Sequence, residues 1–99
     1  MKKAIFNQYA DEISRLFSID QKEIFSKGKR RDLVSARHIL FYLCYNRPMR
    51  GTEIQYYMGL RGYKINHSSI MYGIRSVNEL ITNDKDYASV VKKVSICVD

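Results

Sequence analysis

Several things are scarce in these 99 residues: one proline, two cysteines, five glycines and no tryptophan. No apolar stretch approaches the roughly 20 residues that span a bilayer, so no transmembrane helix is expected. The opening Met1-Lys2-Lys3 runs into polar Asn7 and Gln8 and not into the apolar core of a secretion signal, which reads as a cytoplasmic chain. Cys44 and Cys97 are far apart, with neither CxxC nor Cys/His ligand spacing, which argues against a zinc site or a disulfide framework and for two free thiols. No GxxxxGK[ST] phosphate loop occurs, so nucleotide hydrolysis is not expected. Catalysis needs a nucleophile beside a base, paired carboxylates or clustered ligands, and none of these is present. Ser68 beside His67 is no dyad, because adjacent helical residues point about 100° apart.

Acidic residues are scarce in one region in particular. Seventeen Lys and Arg stand against ten Asp and Glu, a net charge of +7. Between Lys27 and Arg75 there are ten basic residues and only Asp32 and Glu53 to oppose them, whereas the flanks carry seven basic and eight acidic. All of the surplus therefore belongs to the middle of the chain. Such a field attracts polyanions, a phosphate backbone above all. With 45% apolar residues, eight Tyr and four Phe, the chain can bury roughly 60 to 70% of its extended surface as a single domain spanning 1–99.

The apolar spacing predicts an all-α bundle of five to six helices. Phe6, Ala10, Ile13 and Phe17 form one stripe at helical period, flanked by Tyr9 and Leu16, so a helix is expected over 4–17. Asp20 with Glu23 outlines an N-cap pair for a short helical turn. A basic loop, Lys27-Gly28-Lys29-Arg30-Arg31, follows, and Asp32 is expected to cap a central helix that is apolar on nearly all sides. Pro48 ends that helix, Thr52 is expected to cap a short one over 53–58, and Gly59 and Gly62 offer positive φ to the next turn. A fifth helix starts at 66–68 with Ile70, Ile74, Val77 and Ile81 inward and Ser68, Tyr72, Arg75 and Glu79 outward. The last runs from Asp84 to about Val94, with Tyr87, Val90, Val91 and Val94 inward, and residues 94–98 are rich in strand formers. His38 is expected on a helix surface, and Tyr42, Tyr45, Tyr56 and Tyr57 in the core and its rim.

A short helix, a Gly-containing turn and a longer helix with a polar outer face give the outline of a helix-turn-helix over about 52–81. Lys64-Ile65-Asn66-His67-Ser68-Ser69 sets small hydrogen-bonding groups and a cation at a positive helix end, as major-groove reading requires. One of Asn66 and Ser68 is expected to be the N-cap, and the remaining groups exceed what a cap needs.

These residues resemble a family. His67-Ser68-Ser69-Ile70-Met71-Tyr72-Gly73-Ile74-Arg75 is similar to the signature of the C-terminal DNA-binding domain of the bacterial replication initiators, the DnaA family, and Phe17-Ser18-Ile19, Phe25-Ser26-Lys27, the basic loop and Arg37 follow the family's order. The resemblance spans roughly residues 5–94. It implies that His67, Ser68 and Ser69 face the major groove, with Asn66 in place of the usual Asp. It also implies that Tyr72 and Arg75 approach phosphate, that Thr52 lies against backbone or a thymine methyl, that Lys27, Lys29 and Arg31 hold adjacent phosphates and the minor groove, and that Arg37 contacts DNA. Arg30 and Lys64 complete the expected set of contacts. The chain departs from the family pattern at Ser35, where a minor-groove Arg is usual, at Gln55, where Gly is usual, and in a longer stretch between Ile54 and His67.

The implied partner is double-stranded DNA at an origin-type repeat, bound by a monomer without cofactor or metal, in replication or transcription control. The missing ATPase portion fits either a stand-alone relative, such as a phage or mobile-element protein, or a fragment of a longer chain. The competing reading is a protein-binding module that keeps the fold and targets a host replication or transcription protein.

Overall fold

In the computed structural model, residues 1–98 are described and six helices follow one another without an intervening strand: α1 (Lys2–Phe17), α2 (Gln21–Ile24), α3 (Arg31–Tyr45), α4 (Gly51–Leu60), α5 (His67–Asn83) and α6 (Lys85–Ile96). The central helix is α3. It packs most extensively against α5 and α1, and Leu33, Ala36, Ile39, Leu40, Phe41, Leu43 and Cys44 are all buried along it. From α1 come Phe6, Tyr9, Ala10 and Ile13, from α4 Ile54 and Met58, and from α5 Ile70, Ile74 and Val77, closing one core.

Close approach of α3 and α5 depends on Gly73. A Cβ there would meet the His38 ring at 2.7 Å and Phe41 at 3.1 Å, so only a residue without a side chain lets the helices touch. Gly62 has a different task. It takes φ 86° just past α4, with its N–H on the Gly59 carbonyl at 3.0 Å and the Tyr63 N–H on the Met58 carbonyl at 3.0 Å. That pair of bonds is a Schellman turn, which satisfies the last carbonyls of α4.

Several expectations change. Helix α3 is capped at Arg30 and not Asp32, which lies one residue inside it and uses its carboxylate to accept from Arg30 and from the Leu33 N–H. Helix α4 is capped at Arg50 and not Thr52, because Glu53 reaches back to accept the Arg50 N–H at 2.9 Å. It is also longer than expected and takes in Gly59, whose φ is not positive. Val90 and Leu16 are exposed, since α1 and α6 each present a narrower apolar stripe than their composition suggests, and Tyr45 emerges at the end of α3. Residues 94–96 continue α6 and form no strand, as Val91 and Val94 bury on one helical face. Cys44 is buried and Cys97 exposed, both free, and burial pushes the Cys44 thiol up to about 12. No helix among the described residues is long and apolar enough to cross a membrane.

Candidate nucleic-acid interface

The amino end of α5 stands clear of the core. Asn66 caps it, its Oδ1 accepting the Ser69 N–H at 2.8 Å, so the cap consumes the amide oxygen and leaves the amide NH2 outward. His67, Ser68 and Ser69 are exposed, and among the described residues neither serine hydroxyl is spent on a hydrogen bond. The turn that aims this end is held twice. Beyond the Schellman turn, Gln55 Nε2 donates to the Ile65 carbonyl at 2.9 Å, one residue before the cap. The longer connection is thereby tied back to α4.

Facing this end across a groove of about 680 Å³ is the start of α3 with its preceding loop. Lys29, Val34, Arg37 and His38 line one wall, while Tyr63, Lys64, Asn66, Ser68, Ser69, Tyr72 and Arg75 line the other. Eight of the expected contact residues thus meet around a single concavity. Tyr72 is 61% exposed and sets its ring edge-on to His38 with centroids 6.0 Å apart. Burial, and secondarily the Arg37 charge, holds the His38 imidazole below its ordinary pKa, which favours a neutral ring in the groove wall.

The cations differ in what they are free to do. Lys27, Lys29, Arg31, Lys64 and Arg75 are exposed, and among the described residues none lies within ion-pair distance of a carboxylate. Arg30 is engaged, paired with Glu23 at 3.1 Å and with Asp32 at 3.1 Å. The Asp32 hydrogen bond first, then its charge, raises the Arg30 pKa, and the same bond lowers that of Asp32. Arg47 donates to Tyr9 Oη and the Val98 carbonyl, and Arg61 to Asn7 and Gln21, both away from the groove.

Arg37 is only 4% exposed. Its guanidinium points into the loop backbone and is not free to reach a ligand on the surface.

His67 lies on the other flank of α5. Its ring sits over Gly51 and borders a second hollow, of about 530 Å³, with Lys2, Met49, Arg50, Glu53 and Met71. Thr52 is exposed on α4 and lines neither concavity. Arg50, exposed at the α4 cap beside His67, is a cation that sequence reasoning missed; its signal was a basic residue directly before the Gly51-Thr52 helix start.

A tied turn joining two helices, the second with a solvent-facing amino end, defines a helix-turn-helix domain. Residues 9–77 match the family described as the bacterial DnaA protein helix-turn-helix, and the chain belongs to that family. Among its relatives are two chromosomal replication initiator proteins DnaA. That of Sulfurimonas denitrificans is 27% identical over 84 residues, covering 84% of this chain, and that of Nautilia profundicola is 29% identical over 83 residues, covering 83%. The chain spans 18% of the length of each of these relatives.

Proposed function

We propose that this chain binds double-stranded DNA, presenting the amino end of α5 to the major groove while the basic loop grips the flanking backbone. The observation that carries this reading is the groove that joins Lys29 to Lys64, Asn66, Ser68, Ser69, Tyr72 and Arg75, with cations and unspent donors on both walls. Asn66, His67, Ser68 and Ser69 are the base-reading set, since Asn, His and Ser are short donors and acceptors suited to base edges. Lys64, Tyr72 and Arg75 contact phosphate from the α5 side, and Lys27, Lys29 and Arg31 do so from the loop. Thr52, with Arg50 beside it, meets the backbone at the start of α4. Arg30 contributes least, because its charge is already shared with Glu23 and Asp32.

The relatives' name, chromosomal replication initiator, supports an origin-type repeat as the preferred site and a role in replication or transcription control. The binding species in this reading is a single-domain monomer. No catalytic step is part of the reading.

Fluorescence anisotropy tests it directly, by titrating the chain onto a duplex carrying a DnaA-type repeat and onto a scrambled duplex at several salt concentrations. Tighter binding to the repeat with a steep salt slope is the expected result. Equal binding to both would remove sequence reading from the proposal. Absence of binding at low salt would refute it in favour of a protein-binding module.

A further inference from the structure

We infer that Arg37 is the positioning residue of the DNA-binding groove, fixing the basic loop against the turn before α5 and acting on the duplex only through them. This rests on the DNA-binding reading above.

The geometry is specific. Nε donates to the Ile24 carbonyl at 2.7 Å, Nη1 to that of Gly28 at 2.8 Å, and Nη2 to those of Ser26 at 2.6 Å and Glu23 at 3.2 Å. Four of the five guanidinium N–H bonds are thus spent on one short stretch of backbone. That stretch has no ladder of its own, because α2 ends at Ile24 and α3 begins only at Arg31. Among the described residues the Ile24, Ser26 and Gly28 carbonyls have no other donor, while that of Glu23 also accepts from the Ser26 N–H and hydroxyl; carbonyls at a helix end or in a loop must find donors if they are turned away from water. One side chain, anchored on the central helix, supplies them.

The same guanidinium carries a second contact, across the groove. Its Cζ lies 4.9 Å from the centroid of the Tyr63 ring, in the turn between α4 and α5. Tyr63 is the residue whose N–H closes the Schellman turn. Arg37 therefore touches both walls: the loop that bears Lys27 and Lys29, and the turn that aims Asn66. No carboxylate among the described residues lies within 4.0 Å of it, so its charge is balanced by carbonyl dipoles and the ring face. Lysine cannot substitute, since a single ammonium lacks the planar fork needed to span carbonyls on Glu23, Ile24, Ser26 and Gly28.

The experiment compares wild type, Arg37→Lys, the triple variant Lys27→Ala/Lys29→Ala/Arg31→Ala, and the quadruple combination, by anisotropy on one duplex over a salt series. Arg37→Lys is expected to weaken binding about tenfold or more and to flatten the salt slope, since ill-placed loop cations displace fewer counterions. In the triple background its fold loss is expected to be clearly smaller, because the loop part of its route to DNA has been removed and only the turn before α5 remains. Equal fold losses in both backgrounds would overturn the inference, as a direct phosphate contact or a general loss of fold gives that result. A readout without DNA accompanies it: trypsin is expected to cut Arg37→Lys faster than wild type within 27–31 at unchanged helical circular dichroism, and unchanged cutting would also overturn the inference. Should Arg37→Lys fail to fold, Tyr63→Leu loosens the clamp from the opposite wall and is expected to show the same non-additivity. A wild type that binds no duplex overturns the proposed function itself, and the wild-type titration separates that failure from the other.

Discussion

The imidazole of His67 occupies the space that a side chain at Gly51 would fill, with Nε2 only 2.4 Å from where that Cβ would stand. The first residue of α4 and the first residue of α5 are therefore fitted to each other, and the orientation of a base-reading candidate is set by an absence on the neighbouring helix. Gly51→Ala is expected to leave stability within about 1 kcal/mol of wild type, because alanine favours helix and the obstructed group is the tip of a side chain that can rotate. Discrimination between a preferred and a scrambled duplex is expected to fall as it does in His67→Ala, by roughly 1 to 3 kcal/mol if a base contact is lost. Competition binding of the two variants checks this, and full selectivity in Gly51→Ala would break the link between the two residues.

Gly73→Ala is expected to destabilise. Its Cβ meets His38 Cδ2 at 2.7 Å and Phe41 at 3.1 Å on the facing helix; the His38 ring borders the open groove, but Phe41 is fully buried and has little room to yield. Overpacking of this kind costs about 1 to 3 kcal/mol, offset in part by the roughly 1 kcal/mol that alanine gains over glycine in a helix. Combining it with His38→Ala is expected to recover part of the loss. Thermal melting of the single and double variants measures it.

Ser18 ends α1 in the left-handed region, φ 54°, with its N–H on the Arg15 carbonyl and the Ile19 N–H on that of Ser14. Glycine is the residue such a turn prefers, so Ser18→Gly is expected to stabilise by about 0.5 to 1 kcal/mol and to raise Tm by a few degrees. A lower Tm would show that the serine has a compensating role.

Stability is expected to fall with acidification in two separate windows. The folded protein holds His38 below its ordinary value of 6.5, chiefly through burial and then through the Arg37 charge. The unfolded chain binds a proton there first, so this contribution is complete above about pH 6.5 and declines as pH drops towards the folded value, by at most about 1.4 kcal/mol per pH unit. Glu53 and Asp32 are held below their ordinary values, Glu53 first by the Arg50 N–H and then by Lys2, Asp32 first by Arg30. What they contribute is present above the ordinary carboxylate range and lost at lower pH. Melting curves at stepped pH are expected to show the upper decline in wild type and not in His38→Gln.

The reach of the sequence differed from element to element. Helix α5 was legible because Ile70, Ile74 and Val77 repeat at a helix's own period and the polar face between them is unbroken. The starts of α3 and α4 were not, because Asp32 and Thr52 look like caps while Arg30 and Arg50 occupy those positions; in α4 it is the Glu53 carboxylate, reaching back three residues, that satisfies the first turn. Around the groove, Lys64, Asn66 and Ser68 to Arg75 could be read from charge and periodicity. The burial of Arg37 could not, since its acceptors are backbone carbonyls, which look alike in any sequence and become acceptors for Arg37 only once the loop closes over α3. Arg50 and His67 met at the second hollow for a similar reason: the turn between α4 and α5 brings together residues that sequence spacing keeps apart.

Helix α5 divides its labour cleanly, with Ile70, Gly73, Ile74 and Val77 locked in the core and Asn66 to Ser69, Tyr72 and Arg75 facing open solvent. Apart from the Asn66 cap, the exposed set can be exchanged with little thermodynamic penalty. On the proposed reading, selection can therefore retarget such a helix residue by residue, altering which duplex it prefers while the scaffold beneath stays the same, so that similar folds can diverge in address long before they diverge in architecture.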